Sequence, residues 1–429
     1  MALKNPCLMI FFLLIIWQDV AFSQTSNPDS VNITLPEADS LFLLKNQAII
    51  AEKFNIDAAR AQIIQARVFI NPTLNLTQNI YNPERKTWFE ATDAGESSAS
   101  IQKLFLLAGK RNKKISLASL NYEKEEHSYF DLLRTLKLNL HSSFYSLYFL
   151  NKSLKVYDRE IASMSALIGV FERQLLNGYV SKKEVLRLKA GLFSLENEKL
   201  GLLSQYSALQ SDLNVLMHTV NTKFIPNITE PEGKRSIDSL RLQALIDSAF
   251  SYRYDLKSAQ WDVKISEANL RYQKALAVPD LTLSMGWDRN GSFIHNYNYL
   301  GLQIDLPFFD RNQGNIKTAR FTNESMKAHL VSEEDQVRAD VIQAYSVLLE
   351  NEKLYKKFDT NFIGDFEALI TELIHNYEKK NIGLLEFLDF YEAYKQNQVQ
   401  FNNLRNSRMN AFETLNFSIG KEIVKPFSK

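Results

Sequence analysis

The feature that most constrains this chain is the change of hydrophobic period at Leu306-Pro307-Phe308-Phe309-Asp310-Arg311-Asn312-Gln313-Gly314-Asn315-Ile316. Before it, apolar and polar residues alternate. After it, apolar residues recur at spacings of three and four for about sixty residues. Pro307 ends the strand pattern and removes a backbone donor. Asn312-Gln313-Gly314 is turn chemistry. The chain therefore leaves a sheet through a proline corner and enters a very long helix. The same switch occurs about two hundred residues earlier, at Leu107-Ala108-Gly109-Lys110-Arg111. From there to Asn177 there is no proline. At about 1.5 Å per residue such a run makes a rod of roughly 100 Å. Helices far beyond about 25 residues imply a coiled coil, a repeat or a membrane span. The polar faces of this run exclude the span.

The two switches belong to a repeat. Thr34-Leu35-Pro36-Glu37 reads as a helix start with a capping box, and the helix is expected to end at Asn71-Pro72. Leu74 and Leu76 then alternate with Asn75 and Thr77, and Ala99 and Ile101 with Ser98, Ser100 and Gln102. The long helix follows, broken at Asn177-Gly178-Tyr179-Val180-Ser181. A second helix carries Val185, Leu188, Leu192, Leu195 and Leu202 on one face. The short break makes these two helices antiparallel neighbours. The pattern returns as a helix over 240–277, strands around Leu281–Trp287 and Leu300–Leu306, and a helix to about Tyr377. A break at Lys379–Gly383 leads into a last helix from Leu384 to Gly420. Ala61, Ile63 and Pro72 fall on Ala268, Leu270 and Pro279. Glu184 and Leu186 fall on Glu386 and Leu388. The expected division is 24–220 for the first repeat, 221–239 for a linker, 240–420 for the second repeat and 421–429 for a tail.

Residues 1–23 read as a signal peptide, with Lys4, an apolar core at Leu8–Trp17 and Ala21-Phe22-Ser23 before Gln24. The sole cysteine, Cys7, is expected to leave with it, so the mature chain carries no thiol chemistry. The formal charge of +1 gives no basic surface for nucleic acid. No later stretch reaches eighteen consecutive apolar residues, so a membrane crossing would have to be a β-barrel. No phosphate loop and no nucleophile elbow occur, so no enzyme and no cofactor are expected. The histidines at 127, 141, 218, 295, 329 and 375 show no i, i+4 pair, so no metal site is expected either. Tyr81, Trp88, Phe89, Trp287, Tyr297 and Tyr299 cluster near strand ends, as in a membrane-interface belt or as packing under loops.

With these pieces in place the sequence resembles the TolC-like outer membrane factors over nearly all of its mature length. Within that family it is similar to the outer-membrane subunits of cobalt–zinc–cadmium and copper–silver efflux systems. Gly109, Lys110 and Arg111 match the family's first corner, with Ala108 in place of its first glycine. Pro307, Phe309, Asp310, Arg311, Gln313 and Gly314 match the second corner. The resemblance implies a mainly α fold with a small β part: long antiparallel coiled-coil helices form a periplasmic tunnel. Four strands per chain enter a trimeric, twelve-stranded outer-membrane barrel. It implies a homotrimer in outer-membrane lipid, working with a periplasmic adaptor (membrane fusion) protein and an inner-membrane resistance-nodulation-division pump. It also implies roles at the far end of the rods. Gly178, Tyr179, Val180 and Ser181, with Asn381, Ile382, Gly383 and Leu384, are the adaptor-docking tips. Glu386 and Asp389 stand at the place of the family's constriction carboxylates, and lie at i and i+3 on one helix face. The first repeat offers Glu184 and Arg187 there. The expected function is passive export of heavy-metal cations. The alternatives are drug or polypeptide export by the same duct, and a periplasmic coiled-coil structural or adaptor protein without a barrel.

Overall fold

The structure is a computed structural model. It describes residues 30–423 apart from 91, 93–94, 229–239, 291–293, 358–368, 370–371, 378 and 380. The signal segment, most of the expected linker and the end of the tail lie outside the described residues.

The chain begins with β1 (Ser30–Ile33), α1 (Leu35–Lys45) and α2 (Gln47–Arg67). The capping box forms as read: Glu37 Oε2 accepts from both Thr34 N and Thr34 Oγ1 at 2.8 Å. The expected single helix to Asn71 is two helices. The break falls at Asn46, whose side chain caps α2 by accepting from Ile49 N at 3.1 Å. Asn46 also donates to Leu216 O at 2.8 Å, so the break is a tertiary tie. Then come β2 (Thr73–Gln78), a small hairpin of β3 (Tyr81–Asn82) and β4 (Thr87–Trp88), and β5 (Ser97–Phe105). The long helix α3 (Lys110–Leu176) has 67 residues. At about 1.5 Å per residue it is a rod of roughly 100 Å. It is followed by α4 (Lys182–Leu216) and β6 (Lys223–Pro226), a strand inside the segment expected to be a linker. β6 pairs in parallel with β1.

The second half runs through α5 (Leu242–Tyr252), α6 (Tyr254–Leu276), β7 (Leu281–Asp288), β8 (Tyr297–Ile304) and α7 (Gln313–Lys357). Residues 372–377 are helical, and α8 (Leu384–Ile419) closes the chain. The helix expected over 240–277 is also broken, at Arg253. That position aligns with Asn46 in the repeat, but the chemistry differs. Buried Arg253 bonds Asp255 and reaches Asp340 on α7 at 2.7 Å. Gly420 caps α8 at φ 77°. It sits against the Arg253 backbone, where an added Cβ would meet Arg253 N at 2.9 Å. Glycine alone takes up that conformation and that space without strain.

The main sheet is antiparallel in the order β2-β5-β7-β8. The helices repeat that order beneath it: α2, α3, α6 and α7 are successive neighbours. Further down, α4, α3, α8 and α7 are successive neighbours. The molecule is thus a wall of sheet above helices, and both layers stop at the same two sides. No helix among the described residues is long and apolar enough to cross a membrane.

A core at the waist holds the helices together. Phe42, Leu140, Phe144, Leu147, Leu213, Met217 and Phe224 bring α1, α3, α4 and β6 into one cluster. Beside it, buried His141 bridges three elements. Its Nε2 is hydrogen-bonded to Asp39 Oδ1 on α1 at 2.9 Å. Its Nδ1 lies 3.0 Å from Glu413 Oε2 on α8, off the line of a hydrogen bond. Burial opposes the charge, but the hydrogen bond to Asp39 and the attraction of Asp39 and Glu413 outweigh it, and the imidazole is pushed up to about 9. A raised folded value adds stability that is fully present below about 6.5, the unfolded value, and is lost as pH rises through about 9. His141→Gln should therefore cost about 3 kcal/mol near neutral pH and almost nothing above about pH 10. Urea midpoints for both chains across pH 6–10 test this. Parallel curves with no narrowing gap would show that the histidine is not the clamp.

Candidate functional site

The four strands divide by parity. One face carries Leu74, Leu76, Ala99, Ile101, Phe105, Leu281, Leu283, Met285, Trp287, Leu300, Leu302 and Ile304, and the register aligns them across the sheet. Leu74 faces Ile101, Ile101 faces Met285, and Met285 faces Leu300. The opposite face carries Asn75, Ser100, Gln102, Thr282, Ser284, Gly286, Gly301 and Gln303 in the same rows. The apolar face is bare: Leu76 is 73% and Leu300 75% exposed. Of the aromatics near the strand ends, Trp287 lies on the apolar face. Tyr297 and Tyr299 lie on the polar one, with their rings 6.0 Å apart. Tyr299 covers Gly286, where a Cβ would meet the ring at 2.7 Å.

The first corner turns through Ala108 and Gly109, both left-handed. Its two cations then fasten the top of α3 to neighbouring chain segments. Lys110 is buried. Its Nζ pairs with Asp280 at 2.7 Å and donates to Val278 O at 2.6 Å, both just before β7. Asp280 also accepts from Leu107 N at 2.9 Å. Arg111 donates to Arg67 O at the end of α2 and stacks over Phe69 at 4.2 Å. The second corner turns at left-handed Asn312, which donates to Gln273 O at 2.7 Å near the end of α6. Asp310 accepts from Asn312 N at 2.8 Å. Gln313 accepts from Arg311 N at 2.7 Å and donates to Phe309 O at 3.1 Å. Each corner therefore ties a long helix to the helix that precedes its strand pair. Pro307 stands just beyond the end of β8. Phe309 is 93% exposed, and Gly314 lies inside α7 with open space beside it; nothing in the structure explains either residue.

At the far end, Gly178 takes φ 74° and completes a helix stop. Gly178 N donates to Leu175 O and Tyr179 N to Gln174 O. Asn381 N to Asn376 O repeats the longer of these bonds in the second half. Ser181 and Gly383 are the aligned N-caps of α4 and α8, with Val180, Ile382 and Leu384 packed at the edge of one tip cluster. Glu184 belongs to a capping box. Its Oε2 accepts from Ser181 N at 2.8 Å and from Ser181 Oγ at 2.9 Å. That oxygen is committed to its own helix. Glu386 and Asp389 are exposed and make no hydrogen bond or ion pair among the described residues. The same holds for Arg187.

Sequence reasoning missed what joins the two tips. Phe171 of α3 stacks on Tyr377 at 5.1 Å, Tyr377 on Phe387 at 4.5 Å, and Phe387 lies 5.3 Å from Tyr391. Burial, then the nearby Glu184 charge, pushes the Tyr377 phenol well above its ordinary range. The signal available was the i, i+4 spacing of Phe387 and Tyr391; nothing local points to Phe171. Higher up, the seam between α3 and α8 is polar. Asn402 donates to Ser153 and Asn406 to Ser146, both at 3.2 Å. Buried Lys395 pairs with Glu198 at 2.6 Å, and Tyr157 donates to the same carboxylate at 3.0 Å. Among the described residues no cluster of three or more metal-ligating side chains occurs.

Lys110→Met strands the Asp280 carboxylate beneath the sheet. It should cost about 3–5 kcal/mol, the usual consequence of removing one partner from a buried pair. Adding Asp280→Asn should restore part of that loss. A thermal-melting double-mutant cycle measures the coupling, and additive effects would dissolve the pair as a fastening.

A likeness to known proteins supports the same frame. The family profile described as "Outer membrane efflux protein" matches residues 40–217 and 245–354. The cobalt-zinc-cadmium resistance protein CzcC of Cupriavidus metallidurans is 21% identical over 394 residues, covering 91% of this chain and 90% of the relative. The nickel-cobalt-cadmium resistance protein NccC of Alcaligenes xylosoxydans xylosoxydans is 21% identical, covering 73% and 68%. The crystal structure of CusC superposes with a TM-score of 0.73 at 16% identity, covering 94% and 96%. That of VceC from Vibrio cholerae gives 0.70 at 17%, covering 90% and 96%. With the profile matched over most of its length, and with sheet, corners and rods arranged as described, this chain belongs to the outer membrane efflux protein family.

Proposed function

We propose that this chain is one subunit of a passive export duct for heavy-metal cations. Three copies close a twelve-stranded barrel in the outer membrane, and their helices continue as a tunnel across the periplasm. The single observation that carries this is the four-stranded sheet with one bare apolar face and two edges that pair with no strand among the described residues. Unpaired edges in lipid cost several kcal/mol per lost backbone bond, so only closure by further strands satisfies them. The polar face then lines the bore, and the loops around 82–97 and 289–297 face outward.

The helices support closure by the same route. Buried Val185, Leu188 and Leu195 pack α4 on α3. Leu186, Phe193 and Leu200 form a second stripe, one heptad apart and exposed. At the opposite side α7 exposes Val331, Ile342, Val347 and Leu354. The α4 stripe of one copy meets α7 of the next. Phe193→Arg with Leu200→Arg should leave the helix content of each chain intact and yield monomers in detergent by analytical ultracentrifugation. Unchanged trimers would place the seam elsewhere.

The tips meet a periplasmic adaptor, and through it an inner-membrane pump that selects the cargo. Metals are favoured over drugs and polypeptides because the names of CzcC and NccC carry cobalt, zinc, nickel and cadmium. A deletion strain should lose growth on those metals, and retained growth would turn the cargo toward drugs or polypeptides. At the gate, threefold symmetry gathers Glu386 and Asp389 into rings of like charge, with Arg187 placed to pair across copies and Glu184 capping beside them. Glu386→Ala with Asp389→Ala should lower the cation-to-anion permeability ratio of single channels in planar bilayers and weaken block by divalent cations. Equal ratios and equal block would remove these carboxylates from the constriction.

A further inference from the structure

Among the described residues of the four strands, Lys103 is the one charge on the apolar face. It shares that face of β5 with Ala99, Ile101 and Phe105, and its cross-strand partner on β7 is Leu283. A lysine in that company needs either an anionic partner or water. Among the described residues Lys103 makes no hydrogen bond or ion pair. Its Nζ lies 5.9 Å from the centre of the Phe69 ring. The same ring carries the Arg111 guanidinium at 4.2 Å. Phe69 itself is exposed, in the segment between α2 and β2.

The position is as informative as the charge. Lys103 stands one pleat from the helix-side end of β5. Around that level all four strand–helix junctions expose apolar residues: Ile70 before β2, Leu107 after β5, Val278 before β7 and Leu306 after β8. The apolar face thus continues past the hydrogen-bonded ladder to the level of the corners. An apolar belt that ends in two cations around an aromatic ring fits the acyl–headgroup boundary of a bilayer. Lysine stems lie along hydrocarbon there while the ammonium reaches phosphate.

We propose that Lys103 and Arg111, with Phe69 between them, bind the phosphate of a glycerophospholipid in the leaflet facing the helices, one lipid per subunit. Like the duct itself, this site requires the closed barrel. The lipid is the occupant rather than a second copy, because the surface pairs cations with an apolar face whose described strand residues include no carboxylate.

The test uses the full trimer with Cys7→Ala, so that introduced cysteines are unique. A nitroxide on Leu302→Cys, in vesicles of phosphatidylcholine and phosphatidylglycerol, reports by oxygen and nickel-chelate collision whether mid-sheet residues lie in hydrocarbon. Native mass spectrometry of detergent-released trimers then counts retained phosphatidylglycerol. The expected result is a lipid-buried label at 302, with three lipids retained. Lys103→Gln should weaken retention about fivefold, Lys103→Glu should weaken it further, and Lys103→Arg should keep it. Excess inorganic phosphate should leave the lipid in place. A buried label with retention indifferent to Lys103→Glu overturns the lipid site and leaves the barrel standing, as does displacement by inorganic phosphate. A label at 302 in water overturns the barrel, and the site with it.

Discussion

Unpaired strand edges are the constraint on which the rest of this structure depends. β2 and β8 each present a row of backbone donors and acceptors with no partner strand among the described residues, and the face between them is apolar and bare. In water alone such a sheet would be an aggregation template. The helical wall below repeats the problem in side chains: the exposed stripe of α4 and the exposed apolar residues of α7 lie at the two ends of the same order of elements. A surface that is incomplete at both sides, in both layers, is completed only by further strands and helices. Fold and assembly are therefore one physical problem in this chain.

Within the chain, different chemistry serves different seams. The first hairpin packs through the stripe of Val185, Leu188 and Leu195, and the second through Val337, Val341, Ala344 and Leu348 against Ala411, Phe412 and Leu415; both remove apolar area from water at about 25 cal/mol per Å². The seam between the hairpins is polar along much of its length, through Ser146–Asn406, Ser153–Asn402 and Glu198–Lys395, and ends in the aromatic ladder at the tips. A hydrogen-bonded pair contributes only about 1 kcal/mol net, because water is nearly as good a partner. Along that hydrogen-bonded stretch the two hairpins are thus joined only weakly. The firm ties lie elsewhere, at the corners under the sheet and at the His141 clamp.

Much of this was legible in sequence because it rests on period and on local chemistry. The capping box at Thr34 depends on residues three apart. The strands depend on alternation, and the rods on the absence of proline. The two helix breaks were not legible. Asn46 and Arg253 occupy aligned positions in runs with helical spacing, and what opens each helix is a partner 170 residues away at Leu216 for one and on α7 for the other. β6 was hidden for the same reason: its partner β1 precedes it by almost two hundred residues, and its own segment has turn-rich composition. At the tips, the spacing of Glu386 and Asp389 was legible, but sequence reasoning missed that Glu184 gives Oε2 to Ser181.

The sequence by itself determined the four strands of the main sheet, the long helices, their twofold repetition and the corners, since each follows from spacing along one chain. It also determined that no described helix is apolar enough to span a membrane, because hydropathy is a property of the string. Only the tertiary structure decided which strand neighbours which, and hence that Lys103 is the one charge among the described strand residues of the apolar face. It alone paired Lys110 with Asp280, set His141 between Asp39 and Glu413, and stacked Phe171 on Tyr377. The partners in these contacts stand from about one hundred to nearly three hundred positions apart in the chain. Bringing such groups together costs loop-closure entropy that no local pattern records. They form because burial, paired charge and ring stacking offset it once the wall has assembled.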